Sequence, residues 1–113
     1  MITENFKLIS EFDNYMISTN GDIWNSKNNE ILKKHMTKQG YLFIYLYDNS
    51  NKRCCKMVHE LVAAEFLQPT DGYTLIQHKD NNKMNNNILN LEYVDKIIIT
   101  TKTKAFDSFN ISF

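Results

Sequence analysis

The 113-residue chain reads as an α+β protein: an N-terminal antiparallel β-meander, one amphipathic helix, and a β-hairpin closed by a long loop. Three observations predict this. Short runs of aromatic and β-branched residues alternate with turn residues as far as position 58. The apolar spacing then lengthens, placing Val58, Val62 and Phe66 one helical turn apart. Finally, an asparagine-rich stretch separates two further apolar runs after position 73. A chain this long supports one core, so one compact unit is expected, divided into a β-rich part at residues 1–56 and a second part at residues 57–113.

Residues 12–18 lead through Thr19-Asn20-Gly21-Asp22 into Ile23-Trp24-Asn25, a strand, a tight Asn-Gly turn and a strand. After a polar stretch and Gln39-Gly40, the run from Tyr41 to Tyr47 has strand composition. Asp48-Asn49-Ser50-Asn51 is a turn cluster, and Lys52 to Val58 is the partner strand. The result is a meander of four or five strands. In the Tyr41–Tyr47 strand, Tyr41, Phe43, Tyr45 and Tyr47 share one face, and Leu42, Ile44 and Leu46 share the other.

A helix of two to three turns follows from His59 to Leu67, ended by Pro69 and Gly72. Tyr73 to His78 reads as a strand, Asn81 to Leu89 as an ordered Ω-like loop, and Leu91 to Val94 as the returning strand. Beyond it, Ile97-Ile98-Ile99-Thr100-Thr101 is β-branched throughout and favours a strand over a helix.

Composition narrows the function classes. No stretch of about 18 apolar residues occurs, and Met1 to Ser10 lacks a basic region followed by an apolar one, so an intracellular protein with no membrane segment is expected. The two cysteines, Cys54 and Cys55, are adjacent, and a disulfide between neighbours on opposite strand faces is strained. Zinc held by these two and His59 lacks the second pair of ligands that a structural site needs.

Net charge is zero, but it is unevenly spread. Residues 1–30 carry two lysines against five acids, whereas residues 31–58 carry five lysines and Arg53 against Asp48 alone. Residues 59–95 return to two lysines against six acids, and the tail holds three lysines against Asp107. One basic segment thus lies between acidic ones, and basic side chains are what phosphate contacts require.

Three blocks carry a resemblance: His59-Glu60-Leu61-Val62-Ala63-Ala64-Glu65-Phe66, then Ile76 to Asn86, then Asn90-Leu91-Glu92-Tyr93-Val94. In order and spacing they resemble HNH homing endonucleases. Upstream, Tyr15 to Ile23 and Gly40-Tyr41-Leu42 resemble the nuclease-associated modular DNA-binding segment that precedes such units in phage and intron-encoded enzymes.

The resemblance implies a ββα-metal hairpin that holds one divalent ion, Mg2+ or Mn2+. A histidine at the end of its first strand draws a proton from the attacking water. His78 occupies that position, and imidazole as a group suits the role because it titrates near neutrality. The preceding residue normally supplies a metal oxygen and the following helix another ligand; here these positions read Gln77 and approximately Ile99. A glutamine carbonyl is neutral and one methylene longer than the usual ligand, and isoleucine has no donor atom. Asp80, expected on the strand face of His78, and Asp95 are the carboxylates that could complete a modified site. Asn90 matches the family's middle asparagine and is read as a structural brace of the loop.

Nucleic-acid contact is expected from Lys33, Lys34, Lys38, Lys52, Arg53 and Lys56, which flank the Tyr41–Tyr47 strand. Three readings are open at this point: a duplex-DNA-binding protein that has lost cleavage, a metal-dependent DNA nicking enzyme, and a scaffold turned to a protein partner.

Overall fold

The computed structural model describes residues 5–69 and 73–95; the run Ile97–Thr101 lies outside them, as do Pro69's successors as far as Gly72. Fifteen asparagines against three glycines in the sequence have a direct structural use. Asn29, Asn51 and Asn81 sit at φ of 60°, 63° and 63°, the left-handed region where asparagine is the best-tolerated residue after glycine. Asparagine side chains also close turns, as when Asn25 Oδ1 accepts the N–H of Lys27 at 2.9 Å and Asn28 Oδ1 that of Glu30 at 3.2 Å.

Among the described residues these turns link nine strands, one α-helix and a short 3-10 turn at Ile88–Asn90. β1 (Phe6–Ile9), β2 (Phe12–Ser18), β3 (Ile23–Asn25) and β4 (Glu30–Ile31) form one antiparallel sheet in that order. β5 (His35–Met36), β6 (Leu42–Tyr47) and β7 (Arg53–Met57) form a second, and β8 (Tyr73–His78) pairs with β9 (Leu91–Asp95). The expected meander is therefore broken between β4 and β5 into two sheets, and it contains three strands, β1, β4 and β5, that composition did not single out. Two of these are two residues long, too short for a periodic pattern to register.

Helix α1 (Val58–Phe66) joins the sheets. It starts directly from the last residue of β7, so its N-cap is Met57 in extended conformation with no side-chain cap, and Glu60 in its first turn favours the positive end of the helix dipole. Val58, Leu61 and Val62 face inward and meet Ile17 and Ile23 of the first sheet, Ile44 and Leu46 of the second, and Leu91 of β9. One core thus draws on every sheet. At its edge, the N–H of Tyr47 donates to the hydroxyl of the buried Tyr15 at 3.2 Å, and the N–H of Asp13 donates to Asn49 Oδ1 at 3.0 Å, fastening β2 to the second sheet.

β6 divides its side chains as alternation requires: Ile44 and Leu46 are fully buried, while Tyr45 and Tyr47 are exposed. Among the described residues no helix is long and apolar enough to cross a membrane.

Truncating Ile44 to alanine should lower the unfolding free energy by about 2–5 kcal/mol, because the cavity lies where the sheets meet. Tyr47→Ala, on the outer face of the same strand, should cost less than about 1 kcal/mol. Urea denaturation of both variants measures the contrast.

Candidate active site

The site begins with the register of the last hairpin. His78 is the final residue of β8 and pairs with Leu91 at the start of β9, which leaves residues 79–90 to close the loop. Lys79 N–H donates to the Asn90 carbonyl at 2.7 Å, and Asn81 N–H turns back to the His78 carbonyl at 3.0 Å. Asn90 spans the loop: its Nδ2 donates to Asp80 Oδ1 at 2.9 Å and to the Asn85 carbonyl at 2.8 Å, and its Oδ1 accepts the N–H of Asp80 at 3.1 Å.

Asp80 is the hub of this network. Its carboxylate accepts from Asn85 Nδ2 at 2.9 Å and from the N–H of Asn82 at 2.8 Å, besides Asn90. The Asn85 amide, with the Asn82 N–H and the Asn90 amide, holds the Asp80 carboxyl below the ordinary carboxylate range. The strand-face geometry expected for Asp80 is therefore corrected: β8 ends at His78, Asp80 lies in the following turn, and its oxygens are engaged by the loop.

Asn86 is the residue that sequence reasoning passed over. Its side chain is buried, at 4% exposure, and its Oδ1 lies 2.7 Å from His78 Nε2. An amide oxygen only accepts, so in this arrangement Nε2 is the donor. Nothing in a run of three asparagines, Asn85-Asn86-Asn87, marks the middle one in advance.

His78 is itself only 6% exposed, yet it is not sealed in the interior. With Tyr41, Ile76, Gln77, Asn81 and Lys83 it lines an open cleft of about 190 Å³. Tyr41 reaches the cleft from a turn in which Gly40, at φ 93°, lets Thr37 and Tyr41 close on each other. Lys83 Nζ lies 4.6 Å from the centre of the Tyr41 ring and donates to the Gln39 carbonyl at 2.9 Å, so positive charge borders the imidazole.

Behind this wall sits His59, in the first turn of α1, 7% exposed. Its ring stacks on Tyr41 with centroids 5.1 Å apart and lies 5.2 Å from that of His78. Burial pushes the His59 imidazole down to about 4, and the neighbouring His78 adds to the shift. Its Nδ1 is buried without a hydrogen-bond partner among the described residues.

Among the described residues, the backbone does not bring the positions expected to hold a metal together. Gln77 lies on the cleft beside His78, but Asp80 is committed to the loop. Asp95 pairs with Tyr73, at the opposite end of the hairpin from His78 and about 13 Å along the strand from Leu91. Among the described residues no three His, Cys, Asp or Glu side chains cluster as a metal site would require. A neutral amide beside one imidazole does not fit a hard divalent cation, which is held by several oxygens, usually including carboxylates.

The expected nucleic-acid side chains are distributed unevenly. Lys33, Lys38, Lys52 and Arg53 are exposed. Arg53 lies over Tyr45 at 4.0 Å, in a strip with His35 and Phe43 whose ring centroids are 5.3 Å apart. Lys56 sits 5.7 Å from the Phe12 ring, and Lys34 is drawn away from this role by an ion pair with Asp22 at 2.9 Å.

Comparison with known proteins matches residues 4–47 to the NUMOD4 motif. Over 95 residues the chain is 43% identical to an uncharacterized HNH endonuclease, L245, of Acanthamoeba polyphaga mimivirus, covering 84% of this chain and 28% of that protein. It is 35% identical over 98 residues to the H-N-H endonuclease F-TflII of Escherichia phage T5, covering 85% of this chain and 50% of the relative. It is also 31% identical to the DNA endonuclease I-HmuI of Bacillus phage SP01, covering 87% and 56%. The solved structure of the HNH homing endonuclease I-HmuI, a study of its DNA binding and cleavage, superposes with a TM-score of 0.79 at 29% identity, over 96% of this chain and 62% of that one. The chain thus spans about half or less of the length of the first of these relatives.

His59 gives a stability prediction with a definite sign. Its folded pKa, about 4, lies below the ordinary value of 6.5, so its contribution is fully present above pH 6.5 and is lost as pH falls toward 4. Between pH 7 and pH 4.5 the unfolding free energy should drop by roughly 2 kcal/mol through this residue. His59→Leu should remove that part of the drop in urea titrations at the two pH values.

Proposed function

We propose, for a chain that belongs to the HNH homing-endonuclease family and carries its nuclease-associated modular segment, that it binds duplex DNA and presents His78 toward the backbone without an intact metal site. The observation that carries this reading is the cleft itself: an imidazole hydrogen-bonded to Asn86 and bordered by Lys83, next to Gln77 where a stronger oxygen ligand is expected. The exposed Lys33, Lys38, Lys52 and Arg53 supply phosphate contacts, and the β6–β7 hairpin from Leu42 to Met57 serves as the ribbon that enters a groove. Tyr45, under the guanidinium of Arg53, adds flat apolar area to that face. Relatives in phages and a virus fit action on such DNA inside a host cell.

A second reading is DNA nicking. It is favoured by the His78–Asn86 bond: with Nε2–H committed to Asn86, the Nδ1 lone pair is the atom available to take a proton from water. Mg2+ or Mn2+ would supply charge stabilisation at the phosphate, and the ligands beyond Gln77 would have to come from outside the described residues or from DNA.

Two measurements separate these readings. Duplex binding should weaken as salt rises, and Lys52→Gln with Arg53→Gln should lower affinity and flatten the log–log salt slope by about two; affinity indifferent to salt would point instead to a protein partner. Supercoiled plasmid incubated with Mg2+ or Mn2+ should stay intact under conditions where the chain binds. Metal-dependent nicking that disappears in His78→Ala would overturn the primary reading and establish the enzyme.

A further inference from the structure

We infer that the Thr19-Asn20-Gly21 turn of the N-terminal sheet is a positioning element for His78, acting through residues 86–88 of the distant loop. This goes beyond DNA binding, and its bearing on chemistry rests on the reading of His78 as the base.

The turn is built to be rigid. Ser18 is fully buried, and its hydroxyl accepts the N–H of Asn20 at 3.2 Å and of Asp22 at 3.0 Å, while Gly21 N–H donates to the Ser18 carbonyl at 3.0 Å. Asp22 is tied outward to Lys34. A turn held at this many points has few alternative conformations to adopt.

That turn is pressed against the loop. A β-carbon at Gly21 would lie 3.1 Å from Val58 Cγ1 and 3.2 Å from Asn86 Cβ, so any side chain would have to push these neighbours back, and the φ of 86° independently favours glycine. On either side of the contact the loop is hydrogen-bonded to the same turn. Ile88 N–H donates to the Thr19 carbonyl at 2.8 Å, and Asn87 Nδ2 donates to Asn20 Oδ1 at 3.1 Å.

Asn86 is therefore gripped from the N-terminal sheet on one side while its Oδ1 fixes His78 Nε2 on the other. Val58, the second wall of the Gly21 contact, immediately precedes His59, whose ring lies against His78. Asn86, which bonds the His78 imidazole, and Val58, next to His59, thus both pack against one glycine 57 residues before His78.

The test reads the His78 ring directly, by 15N–1H correlation of the full chain. In the native protein the ring should show a slowly exchanging Nε2–H. Asn20→Ala, which removes one exposed bond to Asn87 and leaves the packing intact, should speed that exchange by about two- to tenfold, the equivalent of one hydrogen bond. Gly21→Ala should perturb it more, and because it forces a strained backbone, Asn20→Ala is the deciding variant. Asn28→Ala, which removes a comparable bond in the β3–β4 turn, should leave the ring signal unchanged. A folded Asn20→Ala with native His78 exchange would overturn the proposal, as would an equal effect from Asn28→Ala. If the native chain nicks DNA, Asn20→Ala should lower kcat with KM unchanged. If it does not nick, the base reading falls while the ring measurement still decides the positioning claim.

Discussion

The hydrogen bond from His78 Nε2 to Asn86 Oδ1 is the constraint around which this molecule is arranged. Both partners are buried, so losing one would leave a polar atom of the other without this bond. The bond needs β8 to stop at His78, and it needs the loop to fold back until residue 86 stands beside residue 78. The Asp80–Asn85–Asn90 network meets the second need from within, and the Thr19–Gly21 turn meets it from outside. What looks like a generic polar loop is a cradle for one imidazole.

The regular elements were legible because their side chains repeat. β3 and β8 fall on the ranges expected from composition, and α1 begins one residue earlier than the apolar spacing suggests because β7 runs into it without a loop. His78 was legible through its neighbours in a family pattern. β4 and β5 were not, since two residues have no period, and their pairing with β3 and β6 is decided by tertiary contact. Asn86 was not legible for a different reason: its identity is shared by Asn85 and Asn87, and only burial against Gly21 and His78 distinguishes it. Asp80 illustrates the converse failure. A carboxylate two residues from a histidine suggests a shared strand face, but a turn at Asn81, φ 63°, ends the alternation on which that inference depends.

Zero net charge conceals a division of labour. Several acids are engaged within the fold: Glu65 receives Lys7 and the N–H of Ser10, Asp22 holds Lys34, and Asp80 organises the loop. The basic side chains of the β6–β7 hairpin are concentrated in one segment, so the field beside them is positive although the sum is zero. Aromatic rings lie among them, with Arg53 stacked on Tyr45 and Lys83 over Tyr41. That combination of cation and flat ring suits a polyanion whose interior consists of stacked bases.

The direct passage from Met57 at the end of β7 to Val58 at the start of α1 has a mechanical meaning. A hinge needs residues able to absorb a change in backbone angles, and here one cap residue stands between hairpin and helix. The β6–β7 ribbon and the helix bearing His59 are therefore joined through a single residue, Met57. The direction in which the ribbon leaves the body is thus set by the same core that seats His59 in the first turn of the helix.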